Sequence, residues 1–198
     1  LECHNELGEG PLWHPLENRL YWLDILGQKI QRYDPLSKAY QAFSVGQKIS
    51  VLGWCEIGSF ICAGENGFAF WDAERNLFYP ISHPEQGKPN ARFNDGKVDR
   101  EGRFWAGTMT NEGATSTLYR LDRDLTVRPM IRHVTISNGI AWSPDERIFY
   151  FADTRRKTIY AYDFAPENGT LRNKREFVCF SGAEGVPDGL TVDAEGFV

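Results

Sequence analysis

The chain has 198 residues, 41% of them apolar and 25% charged, with a formal net charge of −5; this is an ordinary globular mix, long enough for one sizeable core. The acidic balance and the lack of any Lys/Arg block argue against a nucleic-acid or anionic-membrane partner. No apolar run reaches the ~20 residues of a membrane-spanning helix, and the amino terminus shows no signal-peptide pattern, so a cytoplasmic location is expected.

In chain order, the sequence writes the same unit again and again. "GEGPLWHP" (8–15) is followed by "RLYWLD" (19–24), "QKIQRYD" (28–34) and "AYQAFSV" (39–45). "VLGWCEIG" (51–58) is followed by "SFICAG" (59–64) and "GFAFWD" (67–72). "NDGKVDREG" (94–102) leads into "RFWAGT" (103–108) and "STLYRLD" (116–122). "SNGIAWSPDE" (137–146) leads into "RIFYFAD" (147–153), "KTIYAYD" (157–163) and "REFVCF" (175–180), and "PDGLTVDAEG" (187–196) begins a fifth unit. Alternation with period two and β-branched or aromatic residues mark these stretches as strands, separated by Asp/Pro/Gly turns. The opening glycines Gly10, Gly53, Gly96, Gly139 and Gly189 are spaced by 43, 43, 43 and 50 residues. In each unit the glycine is expected to open the first strand. A fourth strand is plausible in each unit, as in "AYQAFSV" and "REFVCF", but is less sharply written than the first three, and nothing reads as a long amphipathic helix.

Four short antiparallel strands every 40–50 residues describe blades of a β-propeller. The expected fold is all-β, a single propeller domain over 1–198, with four complete blades and a fifth cut off at "EGFV".

The usual catalytic signatures are missing. There is no GxSxG elbow, Walker A loop or GxGxxG after a strand. Cys3, Cys55, Cys62 and Cys179 lack a metal-type spacing, as do His4, His14, His83 and His133. A reducing compartment without structural disulfides is expected.

The residues just before the five repeat glycines are Glu9, Leu52, Asp95, Asn138 and Asp188. The first strand of each propeller blade lines the central channel, so equivalent positions converge there. Each of these residues alone suits a turn. As a periodic set, four oxygen donors without His or Cys describe a site for a hard cation such as Ca²⁺, Mg²⁺ or Mn²⁺, which would neutralise carboxylates brought close together.

"LGEGPLW", "RFNDGKVD…GRFWAGTM", "SNGIAWSPD" and "PDGLTVD" resemble the SMP-30/gluconolactonase/regucalcin family in order and separation across the whole chain. The resemblance implies a six-bladed β-propeller, truncated here after about four blades. It also implies one divalent cation, Ca²⁺ foremost with Zn²⁺, Mn²⁺ or Mg²⁺ as other choices, and hydrolysis of sugar lactones such as gluconolactone. Carried over by position, the metal ligands are Glu9, Asn138 and Asp188. Asn94, rather than its neighbour Asp95, is the polar residue of "RFNDG" at the metal or substrate. Arg92 and Glu112 join Asn94 as substrate contacts. Asp188, which would sit at the ion and reach its water, is the candidate catalytic base. The implied partner is a small sugar lactone, with no nucleic acid or membrane, and the protein is expected to be a monomer or weak oligomer. Two alternatives stay open: a calcium-binding regulatory protein without significant turnover, and a hydrolase of a non-sugar ester or organophosphate.

Overall fold

The computed structural model describes residues 1–55, 58–111, 113–182 and 185–198. Glu112 and positions 56–57 of the 51–58 stretch therefore lie outside the described residues. The protein is all-β, built of four-stranded antiparallel propeller blades. Its residues group into two compact units, Leu1–Lys88 and Pro89–Val198.

The first unit holds two blades. One is β1 (Gly8–His14), β2 (Arg19–Asp24), β3 (Lys29–Tyr33) and β4 (Tyr40–Ser44); the other is β5 (Ile49–Trp54), β6 (Phe60–Gly64), β7 (Gly67–Asp72) and β8 (Leu77–Ser82). Each sheet follows chain order, so every pairing joins strands adjacent in sequence. Tyr21, Leu23 and Ile30 of the first blade meet Leu52, Phe60, Cys62 and Trp71 of the second in one buried cluster. Residues two apart on a strand share a face, which is why β2 supplies Tyr21 and Leu23 together.

The second unit repeats the plan. Its blades are β9 (Arg92–Val98), β10 (Phe104–Met109), β11 (Ser116–Leu121) and β12 (Val127–Val134), then β13 (Ser137–Trp142), β14 (Ile148–Asp153), β15 (Thr158–Ala165) and β16 (Thr170–Cys179). A 3₁₀ turn, Thr154–Arg156, joins β14 to β15. Phe149 and Phe151 of β14 pack toward Trp105 and Leu118 of the preceding blade. Tyr150 and Ala152, on the opposite face, pack with Leu190 and Val192. Both faces of β14 are thus spent on apolar packing, as stacked blades require.

Aspartates at the ends of strands build many of the turns. Asp34 and Asp72 each accept two backbone N–H bonds from the residues just beyond, and Asp193 does the same after the last described packing segment.

Two arginines tie the blades of the second unit together at the β15–β16 hairpin. Arg103 is held by Asp99 at 2.6 Å and donates to the Pro166 carbonyl, while Arg120 is held by Asp122 and donates to the carbonyls of Asn168 and Gly169. Gly169 has φ +65°, and a Cβ there would run into both guanidinium groups.

The structure corrects the expected strand entries. Each first strand begins before its repeat glycine, and its pairing with the second strand slips once at that end. In the third blade Phe93 opposes Thr108 and Asp95 opposes Gly107, which leaves Asn94 as the extra residue of a β-bulge. In the fourth blade the slip falls between Ser137 and Ile140, where Asn138 and Gly139 sit. In the first two blades it falls at Gly10–Pro11 and at Ser50.

Candidate functional site

The bulges set the geometry around the expected site residues of the second unit. A bulge bends its strand and re-aims the side chains in it, so the ladder no longer dictates which way Asn94 and Asn138 face. The Asn94 amide reaches across to the neighbouring blade and donates to the Ser137 carbonyl at 3.0 Å. Its oxygen accepts from Arg92 at 3.2 Å, and the same guanidinium nitrogen also donates to the Phe93 carbonyl at 2.9 Å. The Asp95 carboxylate accepts from the backbone N–H of Gly96 through Oδ1 at 2.7 Å.

Asn138 is buried, 7% exposed. Its Nδ2 donates to Thr154 Oγ1 at 3.0 Å, and its Oδ1 accepts from the Gly139 N–H at 3.2 Å. That N–H is shared with the Asp188 carbonyl at 3.1 Å, which draws the 187–190 segment against β13. A side chain at position 139 would meet the Asp188 carbonyl oxygen at 2.5 Å and Leu190 Cγ at 2.6 Å, so only glycine admits this approach. Asp188 itself is exposed, and its carboxylate makes no hydrogen bond or ion pair with the described residues.

The structure thus brings Arg92, Asn94, Asn138 and Asp188 into one connected series: guanidinium to amide, amide to the peptide before Asn138, and the peptide after it to Asp188. Glu9 belongs to the first unit, where it is exposed on β1 opposite Leu23, next to the bulge. Glu112 lies outside the described residues.

Among the described residues no three of His, Cys, Asp and Glu gather into a metal-holding cluster. A cation held by the expected set therefore has to draw on amide oxygen as well as carboxylate. The donors fit such a cation: the Asn138 carbonyl oxygen and an Asp188 carboxylate not committed to any described partner are hard oxygen ligands.

Thr154, in the short basic stretch "TRRKT" (154–158), is not among the residues the sequence points to. The signal was positional. Asp24 and Asp153 are the last residues of the second strand in the first and fourth blades, and both fasten the segment that leads into the first strand. Asp24 Oδ1 accepts from Glu6 N and Leu7 N; Asp153 accepts from Thr135 N and Oγ1. Thr154 follows immediately and continues the same grip.

Comparison with known proteins agrees with this reading of the fold. The chain is 35% identical to a regucalcin of Danio rerio over 196 residues, covering 97% of this chain and 66% of the relative. It is 32% identical over 194 residues to a Bacillus subtilis (strain 168) protein provisionally named a sugar lactone lactonase, again with 97% and 66% coverage. It superposes on the crystal structure of a calcium-binding regucalcin from Agrobacterium tumefaciens with a TM-score of 0.91 and 25% identity, covering 97% of this chain and 66% of that one. The chain therefore spans about two thirds of the length of these relatives. The profile of the SMP-30/gluconolactonase/LRE-like region matches residues 7–198, and so the chain belongs to the SMP-30/gluconolactonase/LRE-like family.

Proposed function

We propose that the full-length protein is a divalent-cation-dependent hydrolase of sugar lactones, with Asn138 and Asp188 as ligands and Arg92 and Asn94 on the substrate. The observation that supports the reading is the connected series just described, in which the Asn94 amide meets the Ser137 carbonyl and the Asp188 backbone carbonyl meets the Gly139 N–H on either side of Asn138. Glu9 enters the ligand set on the strength of its "GEGP" motif, and Glu112 enters the substrate set on its place after "TMTN". Ca²⁺ is the expected ion.

A lactone is an ester, and attack by water builds negative charge on its carbonyl oxygen. Held by Asn138 and Asp188, with Glu9 from its motif, a divalent cation would supply Lewis-acid polarisation of that ester and a more acidic water. Asp188 takes the proton from the attacking water; a carboxylate beside a cation is a weak base, which suffices for an ester already prone to hydrolysis. Arg92 offers a rigid fork of donors to the sugar hydroxyls, and Asn94 holds the fork in place, so that substrate is oriented before the bond is made.

The test is a pH-stat assay of an aldonolactone panel on the full-length protein, stripped of metal and refilled with Ca²⁺, Mn²⁺, Mg²⁺ or Zn²⁺. Cation-dependent turnover of at least one lactone, abolished in Asp188→Ala, is expected. Tight cation binding without turnover of any lactone would replace this reading with a calcium-binding role, and turnover in Asp188→Ala at unchanged metal content would remove Asp188 as the base.

A further inference from the structure

We infer that Thr154 is a positioning residue that holds the Asn138 amide in the orientation the Gly139 N–H selects, by seating its NH₂ end and leaving the oxygen end for the cation. The inference rests on the proposed ligand role of Asn138. A side-chain amide is nearly symmetric in shape but opposite in polarity at its two ends, so a ligating Asn must be prevented from flipping. Here one end meets a group that can only donate, and the other is seated on a hydroxyl that accepts from it. The Gly139 N–H can only donate, so the amide atom 3.2 Å from it has to be the oxygen. The other end is then the NH₂, and the Thr154 hydroxyl oxygen accepts it at 3.0 Å. In the flipped amide, two N–H groups would point at one another beside Gly139, and a buried donor would lose its acceptor.

Thr154 is itself held firmly. Its backbone N–H donates to the Ile136 carbonyl at 3.2 Å, two residues before Asn138, and its carbonyl accepts from Lys157 N at 3.0 Å to close the 3₁₀ turn. Asp153, next to it, is 1% exposed, fastens Thr135, and is paired with Arg156 at 2.8 Å. The corner after β14 thus grips residues 135–138 at several points, and its Thr154 hydroxyl is the group that reaches the Asn138 side chain. Partners that orient a metal ligand typically change metal affinity by about 10–100-fold when removed.

The experiment is calorimetric titration of Ca²⁺ into the metal-free full-length protein, with far-UV circular dichroism to confirm folding. Thr154→Val, which keeps the shape and deletes the hydroxyl, is expected to weaken Ca²⁺ about tenfold or more, and Thr154→Ser to stay within about threefold of the parent. Thr154→Ala replaces the Val variant should the latter fail to fold. An Asn138→Asp background gives a second readout. A carboxylate has the same atom at both ends, so the cost of Thr154→Val is expected to shrink there to about threefold or less. Unchanged Ca²⁺ affinity in Thr154→Val, or equal losses in Thr154→Val and Thr154→Ser, would overturn the positioning role. If Asn138→Ala abolishes binding in that case, the ligand assignment survives alone. Unchanged binding in Asn138→Ala would overturn both.

Discussion

Residues that look alike in sequence have different chemistry once placed. Cys62 is fully buried in the core of the first unit, and burial pushes its thiol up to about 12, whereas Cys179 is exposed at the end of β16. The thiolate is the reactive form, so iodoacetamide at pH 8 is expected to label Cys179 in the native protein and to reach Cys62 only after unfolding, as peptide mass spectrometry would show. The oxygen donors next to the repeat glycines were readable from spacing because the glycines recur every 43 residues through Gly139, then after 50, which brings each donor near the slip of a first strand in the described blades. What spacing could not read was the choice between Asn94 and Asp95. Counting back one residue from Gly96 gives Asp95, but the bulge inserts Asn94 as an unopposed residue and leaves Asp95 to cap its own neighbour. A one-residue slip in pairing has no signature in the residue types themselves.

At the scale of elements, the first three strands of each blade were legible because their alternation is strong and their cores aromatic. β8 and β12 were not, since each contains a proline, Pro80 and Pro129, and shows mostly half-buried or exposed positions with no apolar face to read. Both are outer strands, where a missing N–H costs no ladder bond within the blade. β16 runs longer than expected, and Asn173 takes a left-handed φ of 50° within it. Asp24 links elements in a way that ties stability to pH. Burial alone would raise its carboxyl, but bonds from the backbone N–H groups of Leu7, Gly27 and Glu6 outweigh that and hold it below the ordinary 3.8. A carboxylate held below its unfolded value stabilises the fold fully above about pH 4, and that contribution is lost as pH falls through the folded value. Asp24→Asn is expected to cost about 1–3 kcal/mol at pH 7. The difference from the parent should narrow steadily below about pH 4, as urea unfolding at a series of pH values would show.

For the whole molecule, the repeat told the fold class and the number of blades described, while the grouping into two compact units had no counterpart in composition. The segment between β8 and β9 reads only as a Pro/Gly-rich loop. No described helix is long and apolar enough to cross a membrane. If the proposed cation binds the folded chain and not the unfolded one, mass action makes it a stabiliser: at a hundredfold excess over Kd the full-length protein gains about 2.7 kcal/mol. A rise in melting temperature with Ca²⁺, reversed by chelator and absent in Asn138→Ala, is the expected result; identical melting curves with and without Ca²⁺ would count against the ligand set.

The recurring slip in the first strand of every blade has a consequence for how such a chain can change. On the core side of the slip, side-chain parity is locked, because moving any residue by one would turn its apolar partners outward. Beyond the slip the count starts afresh. The two ends of the strand are therefore out of phase by design, and a substitution at 94 or 138 leaves the in-and-out rhythm of the packed end untouched. Selection can retune the mouth of a blade without renegotiating its interior, blade by blade.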